Sequence, residues 1–152
     1  MSAALRALDL IAAPDAFTTA LPPLVVLHGD DPFLAWHVLA LLRERLCPDE
    51  ADREWAWREF DGAAEIDSRD VFDEAATVPL FASATRAAVV RGADGFVSAN
   101  RERLETLAAA SSRPGRGVVI LEVRTFPATT RLAKGVAAKG LVIDTSIPPK
   151  TD

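Results

Sequence analysis

The sequence is short of cysteine, histidine and long apolar runs, and each shortage removes a class of function. A single cysteine, Cys47, leaves no partner for an intramolecular disulfide and no cysteine-based zinc site, which suits a reducing cytoplasm. Two histidines, His28 and His37, are too few for a histidine metal cluster. No stretch approaches the roughly 18 uninterrupted apolar residues of a membrane span. Asp9 interrupts the apolar stretch from Ala3 to Ala13 before a secretory core forms, so no targeting peptide is read there. Positive charge is also scarce: 17 Lys and Arg against 22 Asp and Glu give a net charge of −5, so the molecule as a whole is not an electrostatic binder of nucleic acid. Internal repeats and low-complexity tracts are missing as well.

Apolar side chains, by contrast, are plentiful. With 49% hydrophobic and 26% charged residues, the chain can fill a core and is too apolar to remain disordered. Its 152 residues fit one domain. Charge is unevenly divided. Residues 1–84 carry 6 Lys and Arg against 16 Asp and Glu, a net of −10, whereas residues 85–152 carry 11 against 6, a net of +5. Contact of the basic half with DNA is expected to be weak at most and strongly salt-dependent.

Runs rich in Val and Ile recur, each followed by a helical pattern. Leu24-Val25-Val26-Leu27-His28, set between Pro22-Pro23 and Gly29, has the composition of a buried strand. Pro32 to Leu46 predicts a helix with Pro32 in its first turn and Asp30 or Asp31 as its cap; being apolar nearly all round, it is expected to be deeply packed. Trp55 to Phe60 gives a weaker second strand, closed by Asp61-Gly62. Asp67 or Ser68 caps a helix bearing Val71, Phe72, Ala75 and Ala76, which Pro79 ends. A third strand is predicted over Thr85 to Arg91, then a helix from Ser98 to about Ala110. Gly117 to Val123 is the fourth strand, followed by a helix capped near Thr129 or Thr130 that Gly140 stops after Lys139. Leu141 to Asp144 is the fifth. Strands alternating with helices in this way predict a three-layer α/β sandwich around a mainly parallel five-stranded sheet. The domain is placed at residues 1–145, with 146–152 as a linker or tail around Pro148-Pro149.

In such sheets chemistry gathers at the carboxyl ends of the strands. A phosphate-binding loop starting at Gly29 requires a glycine at 34, a lysine at 35 and a hydroxyl residue at 36. The chain instead has Leu34, Ala35 and Trp36, and Asp30 and Asp31 add negative charge where a phosphate would sit. No nucleotide, other cofactor or metal is therefore expected. A phosphoacceptor receiver domain uses the same acids: Asp30, Asp31 and Thr125 fit that pattern loosely, but the third strand ends in Arg91, Asp94 comes three residues late, and Lys150 lies past the fifth strand. The plainer role for Asp30-Asp31 is a helix cap, worth roughly 0.5–2 kcal/mol. His28, His37 and Cys47 have no catalytic partner at telling spacing and read as packing residues, with Cys47 half-buried. Trp36, Trp55 and Trp57 read as core.

The segment Thr77-Val78-Pro79-Leu80-Phe81-Ala82-Ser83-Ala84-Thr85-Arg86 is a connection that carries apolar side chains where polar turn residues are the rule. Leu80 and Phe81, directly after Pro79, either plug the sheet edge or stand out as an anchor for a partner's pocket. Burial in such a pocket is worth roughly 3–6 kcal/mol.

Several stretches together resemble the N-terminal domain of the delta subunit of bacterial DNA polymerase III, the wrench of the sliding-clamp loader. They are Val26-Leu27-His28-Gly29-Asp30-Asp31-Pro32-Phe33-Leu34, Phe60-Asp61-Gly62, the segment from Thr77 to Arg86 leading into Ala87-Ala88-Val89-Val90, and Arg131-Leu132-Ala133-Lys134-Gly135-Val136. The resemblance implies an AAA+-like fold with a degenerate, non-hydrolysing nucleotide site around Gly29, Asp30, Asp31, Leu34, Ala35 and Trp36. It also implies a non-catalytic role in DNA replication. In that family a Leu-Phe pair enters a pocket of the sliding clamp; the matching residues here are Leu80 and Phe81, with Val78 and Pro79 beside them. The family continues into lid and collar domains that assemble the other loader subunits, whereas this chain stops after Pro148-Pro149 and reads as one domain of such a protein.

Overall fold

Both faces of the central strands are apolar, so both must be covered. The computed structural model describes residues 5–13, 21–77, 85–110 and 116–147. Six parallel strands form one sheet in the order β1-β6-β2-β5-β4-β3. They are β1 (Leu5–Arg6), β2 (Leu24–His28), β3 (Trp57–Asp61), β4 (Ala87–Arg91), β5 (Val118–Val123) and β6 (Leu141–Asp144). Val25, Leu27, Val89 and Ile120 point into one core layer; Leu24, Val26, Val90 and Leu121 point into the other.

Strand order dictates which helix lies on which face, because parallel crossovers are right-handed. The connections β1→β2 and β2→β3 travel across the sheet in one direction, and their helices α1 (Ala7–Ala12), α2 (Pro32–Leu46) and α3 (Arg53–Ala56) contribute to the first core. The other three connections travel back. Their helices α4 (Ser68–Ala76), α5 (Asp94–Ala99), α6 (Arg101–Ala109) and α7 (Arg131–Lys139) contribute to the second. The neighbours β2 and β5 send their outgoing connections in opposite directions, to opposite faces of the sheet, which leaves a crevice beyond their carboxyl ends.

Local signals account for most boundaries. Asp31 caps α2, Asp67 caps α4 and Thr130 caps α7, each accepting a hydrogen bond from an amide of its first turn. Elsewhere the expectations need correction. The sheet has six strands where five were predicted, because the two residues of β1 are too few to show a period. The segment read as strand from Trp55 begins with the helical turn α3, and the strand itself starts at Trp57. The single helix expected from Ser98 to Ala110 is two, broken at Asn100, whose backbone leaves the helical region and whose side-chain amide donates to the Phe96 carbonyl at 2.9 Å. α2 is not packed all round: Phe33 and Trp36 are 65% and 57% exposed, since an outer-layer helix turns only one face to the sheet. Trp36 is thus no core residue, whereas Trp57 is buried and Trp55 packs at the core margin. Cys47, expected to be half-buried, is fully buried. Among the described residues no helix is long and apolar enough to cross a membrane.

Candidate functional site

The crevice beyond β2 and β5 is an open cleft of about 300 Å³. Gly29, Asp30, Asp31, Pro32 and Ala35 line it from the β2 side, Arg91, Gly92 and Asp94 from β4, and Glu122, Val123 and Arg124 from β5. Leu34 is buried in the core and Trp36 faces outward, so of the six positions of the degenerate loop only Gly29, Asp30, Asp31 and Ala35 line the cleft.

Three of the four acids of the cleft, Asp31, Asp94 and Glu122, are engaged with their own chain. Asp31 accepts the Leu34 amide at 2.9 Å, which fills the helix N-terminus where a phosphate would be received. Asp94 accepts the amides of Arg124 and Thr125 at 3.2 and 3.4 Å. Glu122 accepts from Arg91 Nε at 3.1 Å and from the Gly92 amide at 3.3 Å, while Arg91 also reaches Glu59 at 3.4 Å. Burial works against the Arg91 charge, but Glu122 and Glu59 outweigh it and raise the pKa above the ordinary guanidinium value. Four carboxylates against two guanidiniums give the rim a negative bias, and one guanidinium is already neutralised. Among the described residues, no three His, Cys, Asp or Glu side chains converge to hold a metal ion.

The turn after β2 is pinned in place. Gly29 adopts φ +151°, its amide donates to the Val123 carbonyl at 3.1 Å, and the Thr145 amide donates to the His28 carbonyl at 2.8 Å. A Cβ on Gly29 would stand 2.5 Å from the Ser146 nitrogen, so the chain leaving β6 lies directly across the turn. Ser146 is held there by Asp144, which accepts both its amide and its hydroxyl.

This topology overturns the receiver alternative. In the flavodoxin-like order of receiver domains the first and third strands are neighbours and share the switch point. Here β2, the first strand of the core, lies between β5 and β6, and β4 contributes Arg91 in place of an aspartate. Asp31 is spent as a cap.

Val78, Pro79, Leu80 and Phe81 lie outside the described residues. What is described is the framework on either side of them. Thr77 closes α4, its amide and hydroxyl both donating to the Asp73 carbonyl, and the Thr85 amide donates to the Leu46 carbonyl at 3.0 Å. Gly117 and Val118 tie the two sides together: their amides donate to the carbonyls of Ala75 and Arg86, each at 2.9 Å. His28 and His37 make aromatic contacts, His28 with Phe126 and His37 with Phe33 and Trp36. Sequence reasoning passed over Glu122 and Arg124 as site residues; their place at the carboxyl end of the strongest strand was the available signal.

No protein-family model matches the chain, and a comparison with curated proteins finds no match. Among solved structures, the fold is similar to that of the Bacillus subtilis DNA clamp loader delta protein (YqeN), with a TM-score of 0.73 and 16% sequence identity. The similarity covers 92% of this chain and 42% of that one, so the chain spans less than half of its structural neighbour. At this identity the likeness is one of fold.

Proposed function

We infer that the chain is a clamp-binding domain of a replicative sliding-clamp loader, acting by recognition and without catalysis. The observation that carries this reading is the fold shared with a clamp loader delta protein over 92% of the chain. The order of the stretches from Val26 to Val136 supports it independently, because sequence order and fold point to the same family. In this reading Leu80 and Phe81 are the anchor and Val78 and Pro79 its approach. The described residues that flank them, Thr77 and Thr85, are held by Asp73 and Leu46. Clamp opening follows as differential binding: the domain prefers a distorted clamp interface, and its affinity difference between closed and open rings sets how far the equilibrium moves. Other loader subunits would be met through lid and collar domains outside these 152 residues, and DNA at most weakly.

The cleft fits this reading, since a helix N-terminus filled by Asp31 and a rim of carboxylates disfavour a nucleoside triphosphate. The deciding experiment is an interferometry titration against the cognate sliding clamp, with Leu80→Ala/Phe81→Ala alongside. Saturable binding by the parent, lost in a variant that melts within about 2 °C of it, is the expected result. Binding that survives the double substitution would refute the anchor. A well-folded parent that ignores the clamp would remove the reading altogether.

A further inference from the structure

The two faces of β6 are covered unequally. On the first, Leu141 and Ile143 are buried in the core; on the second, Val142 is only half-buried. The helix layer accounts for the difference. α6 packs on one flank of α7, and α1, α2 and α3 all lie on the opposite face of the sheet, so the β6 flank of α7 is left open. That flank holds a cavity of about 340 Å³ walled by Phe126, Ala133, Ala137 and Val142, a volume in the range of small-molecule sites. Small side chains keep it open: Ala133 and Ala137 stand one turn apart on α7, and Ala128 lies in the loop before that helix.

The charge at this cavity is opposite to that of the cleft beyond β2 and β5. Its polar side chains are His28 and Lys134, and no carboxylate is among its described lining residues. The His28 ring lies against Phe126, with the centroids 6.3 Å apart. Lys134 is exposed and forms no ion pair among the described residues. Asp144, opposite His28 in the β2–β6 register, is taken up by the amide and hydroxyl of Ser146. An ammonium at the mouth of an apolar cavity attracts an anion, because the low-dielectric walls concentrate its field. The apolar wall that α7 supplies is one turn long. A partner helix would need anchors over two turns or more, so the cavity suits a single compact group.

We propose that this cavity binds a small amphiphilic anion: a compact aromatic or aliphatic body seated against Phe126, Ala133, Ala137 and Val142, with its carboxylate or sulfonate on Lys134. The site is separate from the cleft and does not depend on the clamp-binding reading.

The test is a fluorescence titration of the folded chain with anilinonaphthalene sulfonate, an aromatic anion that brightens in apolar sites, beside the uncharged dye phenylnaphthylamine. One saturable site is expected. Ala137→Leu fills the cavity from an exposed helix position, where leucine is nearly as good a helix former as alanine, and should weaken both dyes about tenfold or more. Lys134→Gln should weaken the sulfonate roughly fivefold and leave the uncharged dye within about twofold. Amide shifts on adding the sulfonate should centre on Phe126, Lys134 and Val142. Trp36→Ala, which removes an exposed aromatic on the opposite face, should change neither titration. Variants that melt within about 2 °C of the parent retain the fold; if Ala137→Leu melts lower, Lys134→Gln and the amide shifts decide. No saturable site on the folded parent, binding that survives Ala137→Leu in a folded variant, equal loss of both dyes in Lys134→Gln, or amide shifts centred on Trp36 would each overturn the proposal.

Discussion

Gly29→Ala should destabilise the domain more than its single added methyl suggests. The new Cβ would lie 2.5 Å from the Ser146 nitrogen and 2.6 Å from the Thr145 carbonyl carbon. Both are backbone atoms that cannot rotate away. Relief requires moving residues 145–146, which breaks the Thr145 amide bond to the His28 carbonyl. Overpacking of this kind costs about 1–3 kcal/mol, and a side chain at φ +151° adds about 1–3 kcal/mol more. Roughly 2–6 kcal/mol is a large share of the 5–15 kcal/mol that holds a domain together. For a chain of this length it corresponds to a melting temperature lowered by about 5–20 °C. Gly135→Ala is the matched control. Gly135 lies inside α7, where the nearest atom to an added Cβ is Ala108 Cβ at 3.9 Å, so the change should stabilise by about 0.5–1 kcal/mol. Thermal melts followed by far-ultraviolet circular dichroism compare the two directly. A Gly29→Ala variant melting within about 2 °C of the parent, or two variants that shift in the same direction, would refute the argument.

Asp31→Ala removes the α2 cap and should lower stability by about 1 kcal/mol, while calorimetry with millimolar ATP still shows no saturable heat. Burial pushes the Cys47 thiol above its ordinary pKa, with Arg53 opposing, so the folded protein should resist alkylation at neutral pH and label only as it unfolds. At Asp144 burial acts to raise the pKa, but the hydroxyl and amide of Ser146, aided by His28 and Arg6, carry it below the ordinary carboxylate value. A group depressed in the folded state contributes stability above its unfolded pKa and loses it as the pH falls through the folded one. The stability gap between the parent and Ser146→Ala, measured by denaturant titration, should therefore be full near pH 6 and narrow below about pH 4; a gap that does not depend on pH would contradict it.

Features written in consecutive residues were legible in the sequence. The Asp31-Pro32 start of α2, the Thr130 cap and Gly140 stop of α7, and the continuous apolar runs of β2, β4 and β5 all follow from local chemistry. Two-residue β1 has no period to read, and it exists only because β6 offers an unpaired edge. The exposure of Phe33 and Trp36 was hidden for a related reason: hydrophobicity alone does not tell which face of α2 the sheet covers. The least legible features join residues far apart. Arg91 meets Glu122, 31 positions away, because β4 and β5 are neighbours, and Glu74 meets Arg86 across the Val78–Ala84 connection. Ion pairs of this kind belong to the topology, and no local window contains them.

The strand order also schedules how the chain can assemble on a ribosome. β2 is among the first apolar strands to be made, yet its two partners, β5 and β6, begin at residues 118 and 141. At about 5–20 residues per second, the central strand waits roughly 5–20 s with its Leu-Val-Val-Leu run unpaired. β3 and β4 can pair with each other in that interval, but only at the sheet's outer side. The nascent protein must therefore carry this apolar strand unpaired until residues 118–144 have been made, and a chaperone that binds short extended apolar segments would find it at residues 24–27.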